Sequence, residues 1–158
     1  MFEVPRLVPI DHVIDGVYIS GWQATQHADY LRQMEITNVL KLYNELARTF
    51  PPDLNVFEHP VPDGAFLSQE DFQRGVEFVR THCEAGQRVL VACAMGISRS
   101  STFVLAYLLE SGHSLKDAFM LLRRQHPGAN PHPTLWLSLI TRYELDCSLN
   151  EIFGWYRL

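Results

Sequence analysis

The sequence predicts an α/β domain that contains a partly parallel sheet, and three observations lead to this class. Short runs of β-branched and aliphatic residues alternate with segments whose apolar residues recur at helical spacing. The segment "RVLVAC" (88–93) is almost wholly apolar, as a strand buried in the middle of a sheet should be. The chain has 158 residues and no visible linker, repeat or low-complexity stretch, so we expect a single domain over residues 1–158.

The first half of the chain predicts a hairpin, a helix and two strands. Apolar stretches at residues 13–14 and 17–19 flank an Asp-Gly pair, which favours a hairpin turn. The segment "ATQHADYLRQM" (24–34) predicts a short polar helix. Strands are expected at "ITNVLKLY" (36–43) and at "LNVFEHPV" (54–61), which is ended by the turn "PDG".

Serine residues mark the beginnings of two predicted helices. Ser68 with Asp71, and Ser114 with Asp117, resemble capping boxes, in which a serine side chain satisfies a free amide of the first turn. Gly86 follows the first of these helices in the manner of a glycine just beyond a helix C-terminus. Helical patterns also cover residues 100–110 and 134–146, whereas the tail 148–158 is too short to assign.

Composition and charge exclude several classes of protein. Hydrophobic residues make up 47% of the chain and charged residues 20%, which is ordinary for a soluble enzyme and excludes wholesale disorder. The net charge of -5 predicts no general attraction to nucleic acid or to an anionic membrane. No apolar run is long enough to cross a bilayer, and the opening residues "MFEVPRLVPI" lack the features of a signal peptide.

The cysteines and histidines predict a cytoplasmic protein without a metal. Cys83, Cys93 and Cys147 are odd in number and widely spaced, which fits a reducing compartment better than a disulfide framework. His126 and His132 flank a proline-rich turn and are interpreted as loop residues, because the histidines have no metal-ligand spacing. We therefore expect neither a metal nor an organic cofactor.

Two segments could each hold a nucleophilic cysteine beside an arginine. "HCEAGQR" (82–88) places Cys83 at the C-terminal end of a predicted helix, where the partial negative charge opposes a thiolate and repels phosphate. "CAMGISRSS" (93–101) places Cys93 at the end of the buried strand, before a loop and a helix. Convergent amides and the positive end of a helix dipole favour an anion there, either a phosphate or the Cys93 thiolate.

The loop after Cys93 is interpreted as a phosphate-binding loop. Gly96 allows it to curl, and Arg99 adds a planar guanidinium that can bind two phosphate oxygens at once. The alternative is a structural cysteine that is buried in a strand-to-helix turn. The arginine and two hydroxyl groups in one short loop favour the functional interpretation, because core packing has no use for them.

At these residues the sequence resembles the cysteine-based protein tyrosine phosphatases. C-x5-R followed by serine is their signature, and "GISRSSTFVLAYLLE" is similar to the dual-specificity branch. "IDGVYISGWQAT", "ITNVLKLY" and "NPHPTLWLSLITRYE" extend the resemblance over most of the chain, whose size resembles that of small atypical members. The resemblance implies a central mixed sheet of about five strands flanked by helices. It also implies hydrolysis of phosphotyrosine and phosphoserine/threonine in a phosphorylated protein, through a phosphocysteine intermediate.

The resemblance implies a role for each residue of the loop. Cys93 would attack phosphorus, and Arg99 would bind the phosphoryl oxygens together with the loop amides. Ser100 would stabilise the thiolate as it leaves the phosphocysteine; the alternative is a helix N-cap, and both roles are compatible. The amides expected to bind phosphate belong to Ala94, Met95, Gly96, Ile97 and Ser98.

Two further residues are implied outside the loop. The general acid should lie on a loop about thirty residues before the nucleophile, where Asp63 follows a strand and precedes Gly64. The alternative for Asp63 is a simple turn aspartate. Asp71 is a poorer candidate because it falls in the first turn of a helix. Asn130 resembles the asparagine that braces the loop from outside, although it also fits a plain turn before proline.

Ala92 departs from the family pattern, which usually has a histidine before the nucleophile. Without that histidine, Cys93 should be less fully ionised, so we expect an active but slower enzyme. One alternative is a catalytically weak phosphoprotein-binding module. Another is a phosphatase for lipid or RNA phosphates, which is disfavoured because the loop has no lysine. The tyrosine or serine/threonine preference and the oligomeric state stay open.

Overall fold

The computed structural model describes residues 9–44 and 50–158, to which every structural statement refers; the expectation about a signal peptide falls largely on residues 1–8, outside these ranges. The strands are β1 Asp11–Ile14, β2 Val17–Gly21, β3 Ile36–Lys41, β4 Asn55–Glu58 and β5 Arg88–Cys93. The α-helices are α1 Ala28–Gln33, α2 Gln69–Glu84, α3 Arg99–Glu110, α4 Leu115–Gln125, α5 Pro133–Arg142 and α6 Leu149–Trp155. Within the described ranges, no helix is long and apolar enough to cross a membrane.

The strands form one mixed sheet in the order β1-β2-β5-β3-β4. β1 is antiparallel to β2, and all other neighbours are parallel. β5 lies in the middle, and its side chains alternate between two apolar cores. Val91 and Cys93 face the larger core under α2 to α5, whereas Leu90 and Ala92 face a smaller core against α1. The prediction of a mixed sheet flanked by helices is confirmed.

The parallel strands bring several chain segments to one edge of the sheet. The last residue of β5, Cys93, pairs with Gly21 at the end of β2, and Ala92 pairs with Lys41 at the end of β3. In open α/β sheets, ligands bind beyond the carboxyl ends of the parallel strands. This edge is therefore where a functional site is expected.

The local signals for helix ends are confirmed. Ser68 caps α2 by accepting a hydrogen bond from the Asp71 amide at 3.0 Å, and Ser114 caps α4 by accepting from Asp117 at 3.2 Å. Gly86 has a φ of 78°, a left-handed conformation that glycine adopts readily beyond a helix C-terminus.

The predicted helix at residues 24–34 is divided into two pieces. A 3-10 helix covers Trp22–Gln26, and α1 begins only after His27, whose φ of -108° and ψ of 77° are not helical. The hydroxyl of Thr25 lies 2.5 Å from the Trp22 carbonyl and 2.9 Å from the hydroxyl of Tyr43. These contacts hold the first piece tightly coiled against the end of the sheet, and tertiary packing thus overrides the local pattern.

The C-terminal residues differ from the prediction in two respects. α5 ends at Arg142, four residues before the predicted end, and Glu144 has a left-handed φ of 50°. The unassigned tail contains α6, which Ser148 caps at the Glu151 amide. Ile152 of α6 is fully buried in the larger core, so the tail is part of the packed domain.

Candidate active site

The loop between β5 and α3 surrounds the sulfur of Cys93. Cys93 is 2% exposed, and its Sγ accepts a hydrogen bond from the Gly96 amide at 3.2 Å. The hydroxyl of Ser100 lies 3.2 Å from the same sulfur, on the first turn of α3. A thiolate is stabilised by donors and by a helix N-terminus, and this sulfur has both.

Gly96 is required by the shape of the loop. Its φ is 70°, and a Cβ there would lie 2.6 Å from the Gly21 nitrogen and 2.8 Å from the Ser20 carbonyl carbon. Any side chain would therefore collide with the backbone at the end of β2, besides being strained. The close approach of loop and strand places the Gly96 amide beside the sulfur.

Three carbonyls of the loop accept hydrogen bonds from donors outside it. These are Ala94 from the Trp22 amide at 3.2 Å, Gly96 from the His126 ring at 2.6 Å and Ile97 from the Asn130 amide at 2.9 Å. In a trans peptide the carbonyl and the following amide point in opposite directions, and the described residues contain no cis peptide. The amides of Met95, Ile97 and Ser98 thus face away from these donors, towards the concave side of the loop.

The guanidinium of Arg99 is held at the edge of the sheet. Arg99 begins α3 and is 6% exposed. Its Nη1 donates to the carbonyls of Leu42 at 3.3 Å and Val61 at 3.1 Å, which follow β3 and β4. These two contacts fix the orientation of the planar guanidinium beside the loop.

Asp63 lies on an exposed turn after β4 and contacts the loop. The hydroxyl of Ser98 donates to its Oδ1 at 2.7 Å. Ser98 in turn accepts a hydrogen bond from the amide of His132 at 2.9 Å. A carboxyl group that is 35 residues away in sequence therefore reaches Ser98, the residue beside Arg99.

The predicted alternative for Ser100 is wrong. The N-cap position of α3 is Ser98, and Ser100 lies inside the first turn with no exposed surface. Its hydroxyl is directed to the sulfur of Cys93 rather than to a free amide.

The side chain of Asn130 does not contact the loop. Its Oδ1 accepts a hydrogen bond from the Tyr156 hydroxyl at 2.8 Å, and only its backbone amide holds the Ile97 carbonyl. Sequence reasoning missed His126 and Trp22 as contacts of the loop. Trp22 acts through its backbone, which no residue type reveals, and no spacing connects His126 to Gly96.

Cys83 lies at the C-terminal end of α2, as predicted, in an environment that disfavours a thiolate. Burial, followed by the negative charge of Asp15, raises its pKa from 9.0 to about 11. Burial also raises the pKa of Cys147. Hydrogen bonds from the Gly16 backbone and from Tyr107 act on Cys83 in the opposite direction, but burial is the largest cause and its pKa stays raised.

Ala92 is fully buried beside the nucleophile. It belongs to the smaller core together with Leu31 and Tyr43, and its carbonyl accepts from the Leu42 amide at 2.9 Å. The position where the family usually has a histidine is therefore surrounded by apolar packing.

Comparison with known proteins finds similarity to dual specificity phosphatases. The model of the dual specificity phosphatase catalytic domain matches residues 17–144. The chain is 30% identical over 155 residues to dual specificity protein phosphatase 18 of Rattus norvegicus. The aligned region covers 97% of this chain and 73% of that protein. It is also 33% identical over 150 residues to dual specificity protein phosphatase 26 of Mus musculus, covering 84% and 70% of the two chains.

Other matches fix the fold and the extent of the resemblance. A mouse putative dual specificity phosphatase, solved as a complex with zinc tungstate, superposes with a TM-score of 0.82 at 23% identity, covering 91% of this chain and 92% of that one. The chain spans only 27% of a probable rhodanese domain-containing dual specificity protein phosphatase of Dictyostelium discoideum, to which it is 29% identical over 141 residues. These matches confirm the predicted family: the chain belongs to the dual specificity phosphatases and contains their catalytic domain.

Proposed function

We propose that this domain hydrolyses phosphotyrosine and phosphoserine/threonine in proteins, through a phosphocysteine formed on Cys93. The observation that carries the proposal is the environment of the sulfur. The Gly96 amide and the Ser100 hydroxyl both lie 3.2 Å from it, in a loop whose carbonyls are held from outside. Arg99 stands at the end of the same loop.

In the first step the Cys93 thiolate attacks phosphorus, so that an S–P bond forms as the P–O bond to the substrate breaks. The equatorial oxygens are bound by the Arg99 guanidinium and by loop amides, including those of Met95, Ile97 and Ser98. Asp63 gives its proton to the departing oxygen, which leaves as an alcohol or a phenol. Its contact with Ser98 supports this assignment because it keeps the carboxyl group beside the loop.

In the second step water attacks the phosphocysteine. Asp63, now a carboxylate, takes a proton from this water, and the S–P bond breaks to give inorganic phosphate and the Cys93 thiolate. The Ser100 hydroxyl donates to the sulfur as negative charge returns to it. The 3.2 Å separation between the two atoms supports this role.

Exposed apolar side chains on the loop support a protein substrate. Met95 is 73% exposed and Ile97 is 39% exposed. Apolar groups at this position can pack against a peptide, whereas inositol or nucleic-acid phosphates call for additional cations. The loop has no lysine, and the net charge of -5 gives no general attraction to nucleic acid. A phosphorylated protein is therefore the substrate class we favour.

The cysteines support a cytoplasmic location for the domain. Cys83, Cys93 and Cys147 are all free thiols. A nucleophilic thiol needs a reducing environment in order to stay active, because oxidation would remove the attacking atom. We therefore infer that the domain works in the cytoplasm.

A phosphoprotein-binding module is the competing function. Such a module would use the loop amides and Arg99, but it has no need of a proton donor or of a hydroxyl directed at the sulfur. The contacts of Ser98 with Asp63 and of Ser100 with Cys93 favour the enzyme.

The test is turnover of p-nitrophenyl phosphate at several pH values, followed by a panel of phosphopeptides and phosphoinositides. Cys93→Ser should abolish turnover, and the matched variant Cys83→Ser should retain it. Turnover that survives in Cys93→Ser would remove this residue from the chemistry. If the unmodified protein binds phosphopeptides without releasing phosphate, the binding module is the correct function.

A further inference from the structure

The ring of His126 connects the phosphate-binding loop to the first strand of the sheet. We propose that His126, held by Asp11, is a positioning residue: it fixes the peptide between Gly96 and Ile97 so that the Ile97 amide faces the phosphate. The inference rests on the proposed phosphatase function and names a residue that the family signature does not contain. It concerns how the loop keeps its shape before any substrate binds.

The contacts of the ring are short and come from two separate parts of the chain. Nε2 lies 2.6 Å from the Gly96 carbonyl, and Nδ1 lies 2.5 Å from Oδ2 of Asp11 on β1. His126 itself is the residue that ends α4, where its amide donates to the Leu122 carbonyl at 2.7 Å. The side chains of His126 and Asp11 are 12% and 31% exposed, so both contacts are partly shielded from water.

The two partners of the ring fix its orientation. A carbonyl oxygen can only accept, so Nε2 donates to Gly96. Nδ1 is within hydrogen-bond distance of the Asp11 carboxyl group, which holds the ring on its other side. Among the described charged side chains, Asp11 is the one in direct contact with the ring. Arg123 is directed to the Tyr156 carbonyl, and Arg124 is exposed.

The geometry of the peptide transmits this contact to the site. The Gly96 carbonyl and the Ile97 amide belong to one planar trans peptide, so a donor that holds the carbonyl also sets the direction of the amide. Gly96 needs such a restraint because glycine has the greatest backbone freedom. A charged or strongly polarised donor on the carbonyl also makes the amide a better donor to phosphate.

The contact also accounts for a loop that folds around Cys93 without a histidine at position 92. Ala92 is fully buried and faces the smaller core. His126 reaches the loop from the C-terminal end of α4. A carbonyl of the loop is thereby held by an imidazole that comes from another element.

The experiment compares His126→Gln with His126→Asn in the full chain. Both variants carry the same amide, but the glutamine nitrogen lies near the Nε2 position and the asparagine nitrogen near the Nδ1 position. Glutamine can therefore still donate to Gly96, whereas asparagine can bind only Asp11. We expect His126→Asn to lose about tenfold in kcat/KM for p-nitrophenyl phosphate and in affinity for tungstate, less than the loss when a transition-state donor is removed outright. His126→Gln should retain most of both.

Controls separate positioning from folding. His113→Asn and His113→Gln change a histidine that contacts the Leu108 carbonyl near the end of α3, and they should leave both readouts unchanged. Thermal unfolding of all variants shows whether the Asn and Gln forms are equally folded. The kcat/KM and the tungstate affinity of Asp11→Asn should lie between those of His126→Gln and His126→Asn. The imidazole ring is still present in this variant, but the carboxylate no longer orients it.

The outcomes distinguish this inference from the proposed function. The inference is overturned if kcat/KM and tungstate affinity are the same in the unmodified protein, His126→Gln and His126→Asn. The phosphatase function would still stand in that case. Equal losses in both variants would also overturn it, because the donor to Gly96 would then not be what matters. If the unmodified protein shows no turnover but tungstate binding falls in His126→Asn alone, the positioning role holds and the proposed function fails.

Discussion

The hydroxyl of Ser98 donates a hydrogen bond of 2.7 Å to the carboxylate of Asp63, and it thereby joins the phosphate-binding loop to the proposed general acid. The same oxygen accepts from the His132 amide at 2.9 Å, so its proton is directed at Asp63. The other oxygen, Oδ2, can carry the proton for a leaving group while Oδ1 keeps this contact. The position of the proposed acid is therefore set by the loop between β5 and α3.

Asp63→Asn should slow phosphoserine peptides more than p-nitrophenyl phosphate. A poor alkoxide leaving group depends on protonation, for which general acids contribute about 10²–10⁴-fold, whereas a nitrophenolate leaves readily. The measurement is kcat/KM for both substrates. Ser98→Ala removes the hydrogen bond to the acid together with the one from the His132 amide, and it should give a smaller loss with the same leaving-group dependence. Equal losses for the two substrates would indicate that Asp63 only positions the loop.

Arg99→Lys should lower kcat/KM by about 10²-fold, since an ammonium cannot reproduce a two-pronged contact with phosphate oxygens. It also cannot keep the contacts with both Leu42 and Val61 carbonyls from a planar group. Arg74→Lys is the matched control, because Arg74 is exposed and lies over the ring of Phe57. Similar kinetics for the two variants would exclude Arg99 from phosphate binding.

Ser100→Ala should change turnover, whereas Ser101→Ala should change only the stability of the protein. Ser100 contacts the sulfur of Cys93, so its loss should slow breakdown of the phosphocysteine and give a burst of released phenol before steady state. Among the residues that the structure describes, the buried hydroxyl of Ser101 has no hydrogen-bond partner. Its removal should leave turnover unchanged and stabilise the protein by up to about 1 kcal/mol. Stopped-flow absorbance and urea unfolding measure these effects; a burst in Ser101→Ala would contradict them.

Cys83 should make the protein less stable at alkaline pH. Its pKa is raised from 9.0 to about 11, so the folded protein keeps a proton that the unfolded chain releases in this interval. Because the unfolded state then binds fewer protons, the free energy of unfolding falls as pH rises from about 9 to about 11. Below about pH 9 the contribution is fully present. Tyr107, whose pKa is raised to about 12, contributes in the same direction at higher pH.

The measurement is urea unfolding of the unmodified protein and Cys83→Ala at about pH 8 and about pH 10.5. The unmodified protein should lose more stability between the two values than the variant does. Identical losses would mean that Asp15 and burial do not hold the proton on Cys83.

Ala92→His should destabilise the protein without increasing its activity. Ala92 has no exposed surface and shares its core with Leu31 and Tyr43, and overpacking of this kind costs about 1–3 kcal/mol. The expected benefit of a histidine is already supplied, on our inference, by His126. Urea unfolding and the rate of iodoacetate alkylation at Cys93 test both parts. Faster alkylation in a variant of unchanged stability would show that the site does need the histidine.

The sequence predicts the centre of the site because its signals are local. Cys93, Gly96 and Arg99 lie within one strand–loop–helix segment, and the apolar strand before them fixes their place in the sheet. The caps at Ser68 and Ser114 are predictable for the same reason, since each serine satisfies an amide three residues away.

The surroundings of the site are not predictable in this way. Trp22 and Asn130 hold the loop through their backbone amides, which every residue except proline possesses. His126 and Asp11 are 115 residues apart in sequence and meet only because α4 packs on β1. Such contacts depend on tertiary packing, and no spacing in the chain encodes them.

The C-terminal helix ties the catalytic loop to a part of the chain that the family match does not include. The match ends at residue 144, but the hydroxyl of Tyr156 accepts from the Trp136 ring at 3.0 Å and donates to Asn130, whose amide supports the loop. A chimaera that exchanges the last eleven residues for those of a relative would therefore inherit a catalytic defect unless it kept a tyrosine here. The contacts that support the loop therefore extend past residue 144, where the match to the family model ends.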